Sequence, residues 1–123
     1  MNETTTVLVV DDSRVSRLMA RQYILSAKPE WTVEEAATGE EAIAKVGTVC
    51  PVLILIDVNM PGIGGVAAAE QLRAKCPDAH ISLVTANVQN AIRVRAQELG
   101  IGFMEKPITE ARIHALVKAL SLD

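Results

Sequence analysis

Val52-Leu53-Ile54-Leu55-Ile56, closed at once by Asp57, is the longest uninterrupted aliphatic run in the chain, and its reading decides the fold. Five branched residues with no polar alternation describe a short strand buried on both faces. That environment arises in parallel sheets covered by helices on each side. Val7-Leu8-Val9-Val10 repeats the pattern and ends in Asp11-Asp12. Ile81-Ser82-Leu83-Val84 and Ile101 to Glu105 read as two further strands, ending beside Thr85 and Lys106-Pro107. Trp31-Thr32-Val33-Glu34 alternates apolar with polar and predicts an edge strand open on one face.

Helical periods fill the spaces between these runs. Ser13 is placed to cap a helix reaching about Ala27, with Val15, Met19, Tyr23 and Ala27 directed to a core. Arg14, Arg17, Arg21 and Lys28 form a separate basic stripe on that helix. It is read first as a solvated face and secondarily as a docking surface. A short helix runs from about Gly39 to Val46, an Ala-rich one to about Lys75, and another from about Val88 to Leu99. After Pro107 a last helix carries Ile113, Leu116, Val117 and Leu120 on one side. Five strand–helix repeats predict a doubly wound α/β domain with a five-stranded parallel sheet and five helices.

Composition agrees with that architecture. The 123 residues suit one domain, 1–123. Half are hydrophobic and only Tyr23, Trp31 and Phe103 are aromatic, so the core must be built from Ala, Val, Leu and Ile. No run approaches the ~20 apolar residues of a membrane span, and no signal peptide is visible, so a cytoplasmic protein with no membrane role is expected. A formal net charge of −3 gives no general attraction for nucleic acid. Cys50 and Cys76 each precede a proline and lack CxxC or Cys/His company, so free thiols in a reducing compartment are expected. His80 and His114 are isolated and receive no role.

In open α/β sheets the functional residues stand at the carboxyl ends of the strands. Here those ends carry Asp11, Asp12, Asp57, Thr85 and Lys106. Each one alone has an ordinary explanation as a turn former, a helix cap or a solvated rim charge. Together they form a hard oxygen donor set without His or Cys, which suits Mg²⁺. A carboxylate beside such an ion and a lysine is equipped to attack phosphorus and become an acyl phosphate. Lys106 and the metal would offset the charge of the transferring group, and the Thr85 hydroxyl would donate to one of its oxygens.

Val9-Val10-Asp11-Asp12-Ser13, Ile56-Asp57-Val58-Asn59-Met60-Pro61-Gly62, Thr85-Ala86 and Lys106-Pro107 together resemble the receiver domain of two-component response regulators, of the single-domain chemotaxis-regulator kind. The resemblance covers nearly the whole chain. It implies a flavodoxin-like strand order 2-1-3-4-5, and Asp57 as acceptor of a phosphoryl group from a histidine kinase or phosphotransfer protein. Asp12, Asp57 and the Asn59 backbone carbonyl would hold Mg²⁺, with Asp11 acting through an intervening water. Thr85 and Phe103 would be the switch pair, and the Lys106-Pro107 peptide would be cis. The implied role is a signalling switch in a phosphorelay that alters binding to a downstream protein of unidentified kind. It is not an enzyme beyond its own phosphorylation and dephosphorylation. A monomer is expected, with dimerisation on phosphorylation left open.

Gly62-Ile63-Gly64-Gly65 lacks the Asp that the family often places before the final Gly, which removes an expected helix cap. Asn59 and Asn87 are neither acids nor bases, so strong self-dephosphorylation is not expected; Asn87 serves equally well as a helix cap. A phosphatase using Asp57 as nucleophile would need an acid two residues on, where Asn59 stands. A flavin or nucleotide site would need a phosphate cradle after the first strand, where Asp11-Asp12 would repel an anion. A scaffold that binds constitutively is the remaining alternative.

Overall fold

A computed structural model describes residues 5–47, 49–86 and 89–120. In chain order the elements are β1 Thr6–Val10, α1 Arg14–Ala27, β2 Thr32–Ala36, α2 Gly39–Lys45, β3 Leu53–Asp57, α3 Gly64–Lys75, β4 His80–Thr85, α4 Asn90–Leu99, β5 Gly102–Glu105 and α5 Glu110–Leu120. The strands form one parallel sheet in the order β2-β1-β3-β4-β5. The edge strand β2 runs on to Ala36, which pairs with Val10, two residues past the stretch read from sequence.

Successive side chains of a strand leave on opposite faces, and the two cores follow that alternation. Val7, Val9, Leu53, Leu55 and Val84 pack against α1 and α5 through Ala20, Ile24, Ile113 and Val117. Leu8, Val10, Ile54, Ile56, Ile81 and Leu83 pack against α2, α3 and α4 through Ala42, Ala68, Ala69, Leu72 and Ala96. All the largest fully buried side chains are aliphatic, as the composition requires.

Two expectations are corrected. The core face of α1 is Ala20 and Ile24, with Tyr23 and Ala27 at its margin, while Val15 is 66% and Met19 43% exposed. Val15 and Met19 lie on the first two turns of α1, the end that follows the acidic loop after β1, and four-residue spacing from Tyr23 did not bring them inside. Cys50 and Cys76 are joined in a disulfide, with Cα atoms 5.6 Å apart, and are not free thiols. Cys50 stands before β3 and Cys76 before β4. Those strands pair from Leu53 opposite His80, so their incoming loops meet at one end of the sheet.

Candidate functional site

Two strands deliver the acidic residues to one place. Asp11 follows β1, with its N–H donated to the Ala36 carbonyl at 3.0 Å, and the residue is 4% exposed. Asp57 ends β3 and is 5% exposed; Asp12 is open to solvent. Ligand oxygens of Asp11, Asp12 and Asp57 all lie within 4.8 Å of one another. Lys106 reaches in from the loop after β5, its Nζ 3.3 Å from Asp57 Oδ2 and 3.7 Å from Asp11 Oδ2. Thr85, 1% exposed, ends β4, and its carbonyl accepts the Lys106 N–H at 2.8 Å. The Lys106-Pro107 peptide is cis, as the resemblance implied.

Backbone groups hold the carboxylates still. Asp11 Oδ1 accepts from the Ser13 N–H at 2.8 Å, and Asp57 Oδ1 from the Asn59 N–H at 3.1 Å. Asn59 is exposed on the loop that follows. Burial raises the Asp11 pKa. The Ser13 N–H opposes that shift, Asp57 and Asp12 add to it by repulsion, and Lys106 works against it. Three carboxylates against one ammonium leave an uncompensated negative pocket with oxygen donors only. This donor set fits Mg²⁺, which takes carboxylate oxygens and does not require nitrogen or sulfur.

Several supporting residues had no motif to announce them. Arg17 donates from its guanidinium to the Asp11 carbonyl at 2.7 Å and to Glu35 Oε1 at 2.9 Å, while Arg21 takes Glu35 Oε2 at 2.7 Å. Half of the basic stripe is therefore committed to β2 and is not a free docking face. Arg112 of α5 donates to the carbonyls of Glu105 and Pro107, on either side of Lys106. The register that brings Glu35 opposite Val9 is the one signal that could have found the Arg17 clamp.

Phe103 lies opposite Leu83 on β5, 39% exposed, with the Arg93 guanidinium 5.2 Å from its ring centre. Beside Lys106 a cleft of about 390 Å³ is lined by Ser16, Met19, Ala86, Pro107 and Ile108. Asn87 lies outside the described residues. The α4 N-cap is Gln89, and the α3 N-cap is Ile63, which offers no side-chain bond, matching the missing Asp. His114 Nε2 is 2.9 Å from Ser26 Oγ and 3.9 Å from Glu110. Both partners approach the same ring nitrogen, so these two contacts do not form a relay through the two nitrogens of the ring.

The family model described as the response regulator receiver domain matches residues 7–118. The transcriptional regulatory protein ResD of Bacillus subtilis is 36% identical over 120 residues, 97% of this chain and 48% of ResD. The chemotaxis protein CheY of Listeria monocytogenes is 34% identical over 115 residues, 92% of this chain and 96% of that protein. The chain thus spans about half the length of the former and nearly all of the latter. Chemotaxis protein CheY4 of Vibrio cholerae superimposes with a TM-score of 0.85 at 26% identity, covering 96% of this chain and 99% of that one.

Proposed function

The chain belongs to the response regulator receiver domain family, and from that premise we propose that residues 1–123 act as one phosphorylation-dependent switch whose acceptor is Asp57. The observation that carries this reading is the Lys106 ammonium 3.3 Å from Asp57 Oδ2, inside a cluster shared with Asp11 and Asp12. Asp57 Oδ1 is tied to the Asn59 N–H. An oxygen of Asp57 attacks the phosphorus of a phosphohistidine on a histidine kinase or phosphotransfer protein; the P–O bond forms as the P–N bond breaks, and the histidine leaves. Lys106 offsets the charge that arrives, and the Thr85 hydroxyl donates to a phosphoryl oxygen.

Asp12 and Asp57, with the Asn59 backbone carbonyl, would hold Mg²⁺ directly, and Asp11 would hold it through water. When bound, the ion neutralises charge on the phosphoryl oxygens. Phe103, exposed under Arg93, is the side chain that turns inward as Thr85 moves, altering the surface a downstream protein meets. We place this switch in the cytoplasm as a monomer. Among the described residues no helix is long and apolar enough to cross a membrane.

Intact-protein mass after incubation with a small acyl phosphate and Mg²⁺ tests the reading. One phosphoryl group is expected on the wild type and none on Asp57→Asn or after chelation. A phosphoryl group retained by Asp57→Asn overturns the assignment, and no uptake from either the small donor or a phosphorylated histidine kinase favours the constitutive scaffold.

A further inference from the structure

Cys50 and Cys76 bracket one structural unit. The bond between them, across a separation of 26 residues, closes a covalent ring containing β3, Asp57, the loop after it and all of α3. The two cysteines differ in exposure. Cys50 is exposed beside Val49, itself 71% exposed, whereas Cys76 is 1% exposed and caps the C-terminus of α3 by donating its N–H to the Leu72 carbonyl at 2.8 Å. Cys76 belongs to the core packed between α3 and the sheet.

The unit so closed is weakly held by local means. The first two residues of α3 are Gly64 and Gly65, no side chain caps it and no acid lies in its first turn. Glycine at these positions favours the unfolded turn, and a missing cap leaves backbone N–H groups unsatisfied within the helix. That same end of α3 rests on the acceptor: the Gly65 N–H donates to the Val58 carbonyl at 3.2 Å, and a Cβ on Gly65 would fall 2.0 Å from the Asp57 carbonyl oxygen. A tether at the far end of α3 therefore bears on the loop that follows Asp57.

We propose that Cys50–Cys76 is a thiol–disulfide exchange site for low-molecular-weight thiols, and that opening it loosens α3 and the loop after Asp57. The proposal rests on the cytoplasmic reading above, because in a reducing compartment a disulfide is a reversible mark and not a permanent brace. A thiolate attacks the sulfur of Cys50, the more exposed of the two residues, forming a mixed disulfide as the sulfur–sulfur bond to Cys76 breaks. Cys76 leaves as thiolate and takes a proton. A second thiolate then attacks the small-molecule sulfur and releases Cys50, so that two thiols become one low-molecular-weight disulfide and the protein gains two thiols. The reverse sequence, with that disulfide as oxidant, restores the bond.

The folded whole chain is held in glutathione redox buffers, its thiols are alkylated and intact mass is read. Reduced glutathione is expected to open the bond and oxidised glutathione to close it. Cys76→Ala is expected to carry a glutathionyl group on Cys50, whereas Cys50→Ala takes up none. In the same buffers hydrogen exchange across α3 and residues 58–63 is expected to quicken several-fold on reduction, with no response in the double Cys50→Ala, Cys76→Ala variant. A bond that glutathione leaves closed, equal glutathionylation of the two single variants, or α3 exchange that ignores reduction each overturns the proposal. Phosphoryl uptake measured on both redox forms judges the receiver reading separately: uptake by neither form defeats that reading, while the mass and exchange data still decide this one.

Discussion

Gly65 is the residue on which the acceptor loop closes. A Cβ there would stand 2.0 Å from the Asp57 carbonyl oxygen and 2.7 Å from Val58 Cα, both backbone atoms that no rotamer change moves aside. Gly65→Ala is therefore expected to cost about 1–3 kcal/mol, in the manner of an overpacked core, and to slow phosphoryl uptake by shifting the Asp57 peptide; urea unfolding and intact mass read the two effects. Glu35 offers a different residue-scale test. Burial pushes its carboxyl up, but hydrogen bonds from Arg17 and Arg21, with their charges, outweigh that and hold it below the ordinary carboxylate value. A lowered folded-state pKa means that the stability from this clamp is present above the unfolded value, roughly 4.3, and is lost as pH falls through the folded one. Glu35→Gln is expected to flatten that part of the acid limb of a stability–pH curve, and a limb unchanged in shape would exclude the clamp as its source. The Arg17 clamp escaped the sequence reading because Arg17 and Glu35 are 18 residues apart and meet only through the β1–β2 register.

At the scale of elements, local chemistry accounts for most boundaries. Ser13 accepts from the Ser16 N–H at 3.2 Å and starts α1; Thr38 accepts from the Glu41 N–H at 3.0 Å and starts α2. Glu41 also returns to the Ala37 N–H at 2.8 Å, giving α2 a reciprocal cap close to a capping box. With only seven residues, α2 has few internal bonds to fall back on. Thr38→Ala is expected to cost ~1 kcal/mol, read as a lower urea midpoint with an unchanged slope, and a Thr38→Ser variant is expected to recover most of it. The α1 face was misread for a reason that belongs to this scale. Spacing identifies which residues share a helix side, but not how far along that side the cover reaches: Val15 and Met19 are left exposed, and Met19 lines the Lys106 cleft.

For the molecule as a whole, the sheet separates its two ends. The acidic cluster occupies the carboxyl ends of β1 and β3, while Trp31 lies before β2, partly buried against the α1–α5 core. Trp31 is expected to report unfolding and to stay silent during a Mg²⁺ titration whose heat is detected by calorimetry; a Trp31 emission change tracking that heat would show that binding at one end of the sheet is felt at the other.

The amino-acid order by itself determined the strand–helix alternation, the aliphatic core and the identity of the strand-end residues. Each of these is encoded in neighbours a few positions apart, in two-residue or 3.6-residue periods. The motif spacing also carried the family and, through it, the strand order. The folded arrangement was needed to show that Cys50 meets Cys76, that Arg17 braces the Asp11 carbonyl directly while also holding Glu35, that Arg112 brackets Lys106, and that Phe103 lies outward under Arg93. The Cys50–Cys76, Arg17–Glu35 and Arg93–Phe103 contacts join residues 10 to 26 positions apart, and the Arg112 contacts depend on how α5 folds back over the loop after β5, so none follows a two-residue or 3.6-residue period.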